Sequence, residues 1–244
     1  MKAVIMASGM GTRMRPLTDD TPKPLIPVCG TPMIQTVMDG LLSAGVDDIS
    51  IVTGYLGYQF DSFISRYVQK HEGLRISTIT NPYYETINNI SSVYVARDIL
   101  RTDDCFVCEA DLYVTDDSIF MMHPDKSCYY GTYRDGYVDD WGFETDTADV
   151  DKARIIRVKK GVTDCYNMVG VSFLKRNEAA QVADAVERIW GTPGYEDFYW
   201  DDVVDRNLDK IRLSVWPVKS DSIAELDTVE ELRAFERSRQ KICE

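Results

Sequence analysis

No stretch of this 244-residue chain approaches the ~20 consecutive apolar residues that cross a bilayer, which argues against membrane insertion. The opening apolar segment, KAVIMA at residues 2–7, is too short for the core of a secretory leader and no cleavage pattern follows it. A cytoplasmic protein is expected. Positive charge is also scarce: 27 Lys and Arg face 40 Asp and Glu, a net charge of −13. Binding to a nucleic-acid backbone calls for a basic stripe, so nucleic acid is not an expected partner. A small anionic substrate would instead need a local cluster of cations, and Arg13, Arg15 and Lys23 offer one.

Metal- and redox-type cysteine patterns are nearly missing. Of the six cysteines (Cys29, Cys105, Cys108, Cys128, Cys165 and Cys243), only the CFVC run has the spacing of a pair. That run reads as a strand, where residues three apart point to opposite faces. Structural thiols are expected. Two phosphate-binding signatures are absent as well. No G-x-x-x-x-G-K-[ST] run occurs. A dinucleotide fingerprint fails because Met14 takes the third glycine position, and Thr31, Pro32 and Met33 stand where a ribose-binding acid belongs.

What remains is ordinary for a globular domain, with 44% apolar and 27% charged residues. Strand and helix alternate through about residue 115: a strand at 2–7, a helix from Pro32 to Ala44, the strand DISIVTGY, the helix YQFDSFISRYVQKH, the strand LRISTITN, a helix near 91–100 and the strand CFVCEADLYV. This order predicts βαβ units and a mostly parallel sheet with helices on both faces. The second half turns β-rich in SCYYGTYR, ARIIRVKKG and YNMVGVSFLK, which suit antiparallel additions or a lid. Helices near 177–190 and 196–208, the strand IRLSVWPV and a helix from Asp227 follow. One domain over 1–244 is expected, with a nucleotide-binding half at 1–115 and an acceptor-binding half at 116–244. Nothing in the sequence specifies an oligomeric state.

The stretch MASGMGTRMRPLT, followed by TPKPL, poses the functional question. One answer is a strand-to-loop turn with solvated arginines. The other is a loop whose backbone N–H groups cradle a nucleoside triphosphate, with Arg13 beside the phosphates and Lys23 held between two prolines as a second cation. The two basic elements lie only ten residues apart, which favours the cradle. Asp111, closing the strand CFVCEAD, stands at the carboxyl edge where open α/β sheets bind ligands, the place for a Mg²⁺ ligand. Glu109 lies two residues earlier on the same face. Asp227 has two readings of equal weight, a metal ligand or a helix cap, since DTVE places Glu230 at capping distance.

The run MASGMGTRMRPLT…TPKPLIPVCGTPMI resembles the signature of nucleotidyltransferases that join a nucleoside triphosphate to a phosphorylated small molecule. Sugar-phosphate members share only this part and the later Asp. The resemblance to bacterial choline-phosphate cytidylyltransferases extends over nearly the whole chain, through NNISSVYVARDIL, EADLYV, DDWGFE, FYWDDVV and IAELDTVEELR. It implies a Rossmann-like nucleotidyltransferase fold with a β-rich acceptor-binding insertion, CTP as donor and Mg²⁺ as cofactor. Asp111 and Asp227 match the metal ligands, which tips the second reading of Asp227 toward metal. The nucleotide would lie on Ala7, Ser8, Gly9, Met10, Gly11, Thr12, Arg13 and Lys23, beside Glu109 and Ala110. Arg13 and Lys23 would carry catalysis by charge neutralisation.

Cytosine is expected over residues 81–92, with Asn88, Asn89 and Ser91 able to read its amide edge, although such residues also serve simply as turn formers. The second half sets aromatic residues beside acids: Trp141, Tyr199, Trp200, Asp201 and Glu225, with Asp139 and Asp140 adjacent. This pattern suits a cationic headgroup. Lys159 and Lys160 stand as partners for an acceptor phosphate or as a solvated pair. Phosphocholine is the first acceptor expected, ahead of 2-aminoethylphosphonate and phosphoethanolamine. A sugar-1-phosphate enzyme and a non-catalytic nucleotide sensor are the competing functions.

Overall fold

The computed structural model describes residues 1–121, 124–149 and 153–240. Cys243 lies outside the described residues. In chain order the strands are β1 (Lys2–Ala7), β2 (Pro27–Val28), β3 (Thr31–Pro32), β4 (Asp48–Thr53), β5 (Arg75–Thr80), β6 (Cys105–Glu109), β7 (Leu112–Val114), β8 (Cys128–Thr145), β9 (Ile155–Leu174), β10 (Ser214–Pro217) and β11 (Ile223–Glu225). The helices are α1 (Met33–Ser43), α2 (Gln59–Val68), α3 (Ile90–Leu100), α4 (Ser118–Met121), α5 (Arg176–Ile189), α6 (Trp200–Asp205) and α7 (Val229–Gln240).

Seven strands form one sheet in the order β10-β8-β9-β6-β1-β4-β5. β6, β1, β4 and β5 run parallel, and β9 is the one strand set against its neighbours. The result is a Rossmann-like, mostly parallel mixed sheet. Strand alternation sorts its two faces. Ala3, Ile5 and Ala7 face one core with Ile34, Val37 and Met38 of α1 and Phe60, Phe63 and Tyr67 of α2. Val4 faces the other, with Ile90 and Val93 of α3 and Val182 and Val186 of α5. Each such large apolar side chain contributes roughly 1.5–3 kcal/mol when fully buried. Cys105 and Cys108 divide between the two cores, as their three-residue spacing demands. Both thiols are pushed up by burial, which leaves them protonated packing groups.

The β-rich second half joins this sheet. Three expected strands merge into two long, irregularly paired ones: Gly142 pairs with Lys159 on one side and Asn167 on the other. Trp141 thereby lies opposite Lys160. The expected helix at 196–208 is shorter, with a single 3₁₀ turn at Tyr195–Asp197 before α6. β11 pairs with β7 next to β6, which returns the end of the chain to the beginning. A small cluster of Met14, Ile26, Val28, Met33, Leu226 and Leu232 fixes α7 against the first loop.

Candidate active site

β1 and β6 end side by side, with Met6 opposite Glu109. The chain therefore leaves the sheet at Ala7 and at Ala110 within one crevice. Gly11 turns the first loop in the left-handed region (φ 58°, ψ 36°). A Cβ there would stand 2.8 Å from the Cβ of Lys23, so only glycine lets the loop lie against that lysine. Below the loop, Ser8 and Ser92 share a 2.9 Å hydrogen bond, and the Asn81 amide donates to Ser91 at 2.9 Å.

Lys23 is buried, and its Nζ donates to Asp111 Oδ2 at 2.8 Å and Asp227 Oδ1 at 2.6 Å. Arg13 pairs with the same Asp227 oxygen at 2.9 Å. Burial works against the Lys23 charge, but the Asp111 and Asp227 carboxylates outweigh it and hold its pKa above the ordinary lysine value. The two readings of Asp227 separate here. The helix is capped one residue later: the Thr228 hydroxyl accepts from Glu231 N–H at 3.2 Å, and the Glu231 carboxylate accepts from Thr228 N–H at 2.9 Å. The Asp227 side chain is left to the cations.

Asp111, Glu225 and Asp227 each bring a carboxylate oxygen within 4.8 Å of the others. An all-oxygen donor set suits a hard divalent cation such as Mg²⁺, and the Lys23 ammonium between two of these carboxylates marks the spot as one that demands positive charge. Glu109 and Glu225 titrate above the usual carboxylate range, through withdrawal from bulk water and then through the neighbouring Asp111 carboxylate. A cation there would relieve that crowding.

These groups line a cavity of about 650 Å³. Ala7, Ser8, Gly9, Gly11, Thr12, Arg13, Lys23, Asn88, Asn89, Ser91, Glu109, Asp111, Trp141, Lys160, Tyr199, Glu225 and Asp227 all border it, together with Asp139 and Asp140. Trp141 and Tyr199 meet edge to face with ring centroids 5.6 Å apart. Across their faces lies the Lys160 ammonium, 5.4 Å from the Trp141 ring and 5.0 Å from the Tyr199 ring.

Several expected residues stand elsewhere. Trp200 and Asp201 lie beneath the cavity wall, 3% and 2% exposed. The first turn of α6 rotates both inward, where Trp200 packs on Tyr129 and the Tyr129 hydroxyl donates to Asp201 Oδ1 at 2.9 Å. Met10 and Ala110 do not border the cavity; Ala110 is a core residue. Arg15 turns out toward Asp19, and Lys159 pairs with Glu144 at 2.6 Å. Asn88 and Asn89 do border the cavity, yet they also hold its two walls together. The Asn88 amide donates to Asp197 O at 2.8 Å, and Asn89 Oδ1 accepts from Trp200 N–H at 3.0 Å. The Ser91 hydroxyl is turned inward to Asn88 O at 2.8 Å. Tyr84, Ile87, Met168 and Gly170 are cavity residues that carry no motif signal; Tyr84 sits so close to Gly54 that a Cβ there would meet its ring at 2.8 Å.

A cation-rich loop facing carboxylates at the carboxyl edge of a parallel sheet defines a nucleotide-handling enzyme. Residues 2–128 match the nucleotidyl transferase family model, and the chain belongs to that family. Within it the chain stands with the cytidylyltransferases. It is 44% identical over 234 residues to the 2-aminoethylphosphonate cytidylyltransferase of Lancefieldella rimae, covering 96% of this chain and 91% of that protein. It is 31% identical over 240 residues to the choline-phosphate cytidylyltransferase of Streptococcus pneumoniae, covering 97% of both. A solved structure of the CTP:phosphocholine cytidylyltransferase from Streptococcus pneumoniae superposes with a TM-score of 0.84 at 29% identity, over 98% of each chain. Among the described residues, no helix is long and apolar enough to cross a membrane.

Proposed function

We propose that this enzyme transfers CMP from CTP to a small amino-alkyl phosphonate or phosphate, with 2-aminoethylphosphonate as the preferred acceptor. An acceptor phosphonate oxygen attacks the α-phosphorus of CTP, the new P–O bond forms as the bond to the β-phosphate oxygen breaks, and pyrophosphate leaves. Lys23 and Arg13 neutralise charge that builds on the α-phosphoryl group and the leaving group. Asp111, Asp227 and Glu225 would hold Mg²⁺, which when bound supplies further charge neutralisation at the phosphates. The protein's remaining task is alignment of donor and acceptor.

The observation that carries this reading is the composition of a single cavity: Lys23 bridges Asp111 and Asp227, Glu225 lies beside those two carboxylates, and Trp141, Tyr199, Asp139 and Asp140 border the same space. The relatives' names support CTP as donor. Aminoethylphosphonate takes precedence over the phosphocholine expected from sequence on two grounds. The full-length relative that is 44% identical bears that substrate in its name. The acceptor wall is rich in carboxylates, which serve a primary ammonium with its three N–H donors better than a quaternary one with none. The chain is read as one domain over 1–244, with the nucleotide on 1–115 and the acceptor on 116–244, and with Glu225 and Asp227 reaching back to complete the first half.

The test is pyrophosphate release from CTP and Mg²⁺ with 2-aminoethylphosphonate, phosphoethanolamine, phosphocholine and a sugar 1-phosphate. Fastest release with the aminoethyl acceptor is expected. Preference for the sugar phosphate, or CTP binding with no release from any acceptor, would overturn the reading.

A further inference from the structure

Lys160 occupies an unusual position. β9 sets it directly across from Trp141, while its neighbour Lys159 turns away to Glu144. Its side chain enters the cavity but forms no salt bridge among the described residues, although Asp139, Asp140 and Glu225 border the same space. The ammonium instead lies over the faces of Trp141 and Tyr199 at 5.4 and 5.0 Å. Trp141 is fixed there by its backbone: Asp140 Oδ1 accepts its N–H at 2.7 Å, and the Asn167 amide donates to its carbonyl at 2.7 Å.

An aromatic pair of this kind attracts a cation through the negative faces of its rings. In this protein the chain's own cation already fills that place. We infer that Lys160 is a specificity-determining residue: by covering the Trp141 and Tyr199 faces it denies them to a quaternary ammonium and directs acceptors toward those with a primary ammonium, which the cavity carboxylates bind. This inference rests on the proposed amino-alkyl acceptor. A trimethylammonium has no N–H to give to Asp139, Asp140 or Glu225 and depends on ring faces and bare charge. It would have to displace Lys160 or sit against it, and like charges a few ångströms apart repel. A primary ammonium needs only the carboxylates.

The experiment compares kcat/KM for phosphocholine and for 2-aminoethylphosphonate, at saturating CTP and Mg²⁺, in the wild type, Lys160→Met and Lys160→Arg. Methionine keeps the length and removes the charge, and the site is exposed enough that folding is not at stake. The phosphocholine-to-aminoethylphosphonate ratio should rise about tenfold in Lys160→Met, equal to about 1.4 kcal/mol and within the range of one cation–π contact. In Lys160→Arg, which restores a cation over the rings, the ratio should stay within about twofold of wild type. A Lys160→Met enzyme that loses both acceptors equally would show that the lysine merely holds their shared anionic group, and the inference would fall. Calorimetric titration with choline alone separates this from failure of the functional reading. Even an enzyme inactive on every acceptor should bind choline about tenfold more tightly after Lys160→Met, and unchanged affinity would refute the inference.

Discussion

Lys23 and Asp227 stand 204 positions apart in the chain and 2.6 Å apart in space. Asp111 shares the same ammonium at 2.8 Å, so one buried lysine joins the opening loop, the end of β6 and the entry to α7. Removal of that charge leaves Asp111, Asp227 and Glu225 clustered, with the largely exposed Arg13 still paired to Asp227. Lys23→Ala is expected to lower kcat at least ~100-fold, the scale for one lost donor to developing charge. Steady-state pyrophosphate release measures it, and wild-type turnover would contradict the role given to Lys23.

The three clustered carboxylates predict metal dependence. Chelation of divalent ions should abolish pyrophosphate release, and added Mg²⁺ should restore it. Asp111→Asn and Asp227→Asn should each weaken Mn²⁺ binding at least ~10-fold, since loss of even an outer-shell partner commonly costs that much. Titration of free Mn²⁺ by its paramagnetic resonance signal reads the affinity directly. Equal affinity in wild type and both variants would place the ion elsewhere.

Gly11 offers a test of the loop without replacing a charged group. Gly11→Ala places a side chain at φ 58° and directs its Cβ to within 2.8 Å of the Lys23 Cβ. The left-handed conformation alone costs about 1–2 kcal/mol for a residue with a Cβ. Urea unfolding should register a loss of that order. Turnover should fall by at least tenfold, because Lys23 is pushed from its two carboxylates. A variant with wild-type kcat would mean that the lysine needs no such close support.

Asp201 links stability to pH. Burial, opposed by the hydrogen bond from Tyr129, raises its carboxyl to about 7. In the unfolded chain the same group titrates near its ordinary value of about 3.9, so between about pH 4 and about pH 7 the unfolded state ionises while the folded state holds its proton. Stability should decline with rising pH across that window and level off above it. Asp201→Asn, which keeps an acceptor for the Tyr129 hydroxyl, should flatten this decline. Urea midpoints at about pH 5 and about pH 8 are the measurement. An unchanged slope would show that another group sets it.

Local patterns made much of the fold and part of the site legible. Alternation in β1 and the helical spacing of Phe60, Phe63 and Tyr67 arise within single elements, and the parallel core follows from them. The convergence of Arg13, Lys23 and Asp111 on one cavity was visible because loop residues after one strand and the residues that end a neighbouring parallel strand must share an edge. Asp227 was ambiguous because capping and coordination use the same residue type. The Thr228 and Glu231 pair, one position further on, takes over the capping and frees the Asp227 side chain.

The misplaced residues share a physical cause. Tyr199 and Trp200 are adjacent in sequence, but a helix begins between them, so one ring faces the cavity and the next is core. Composition cannot report that rotation. Asn88 and Asn89 border the cavity as expected, yet their amide groups also bind backbone at Asp197 and Trp200, more than a hundred residues away. Such partners are invisible until the chain is folded.

β11 closes on β7, so Glu225 and Asp227 join Asp111 from a late part of the chain. A nascent chain that has emerged only as far as β10 already owns the opening loop, Lys23 and Asp111, but its ammonium lacks Glu225 and Asp227. On the proposed roles of Glu225 and Asp227, a fragment cut short before β11 is expected to release no pyrophosphate however well its sheet had formed.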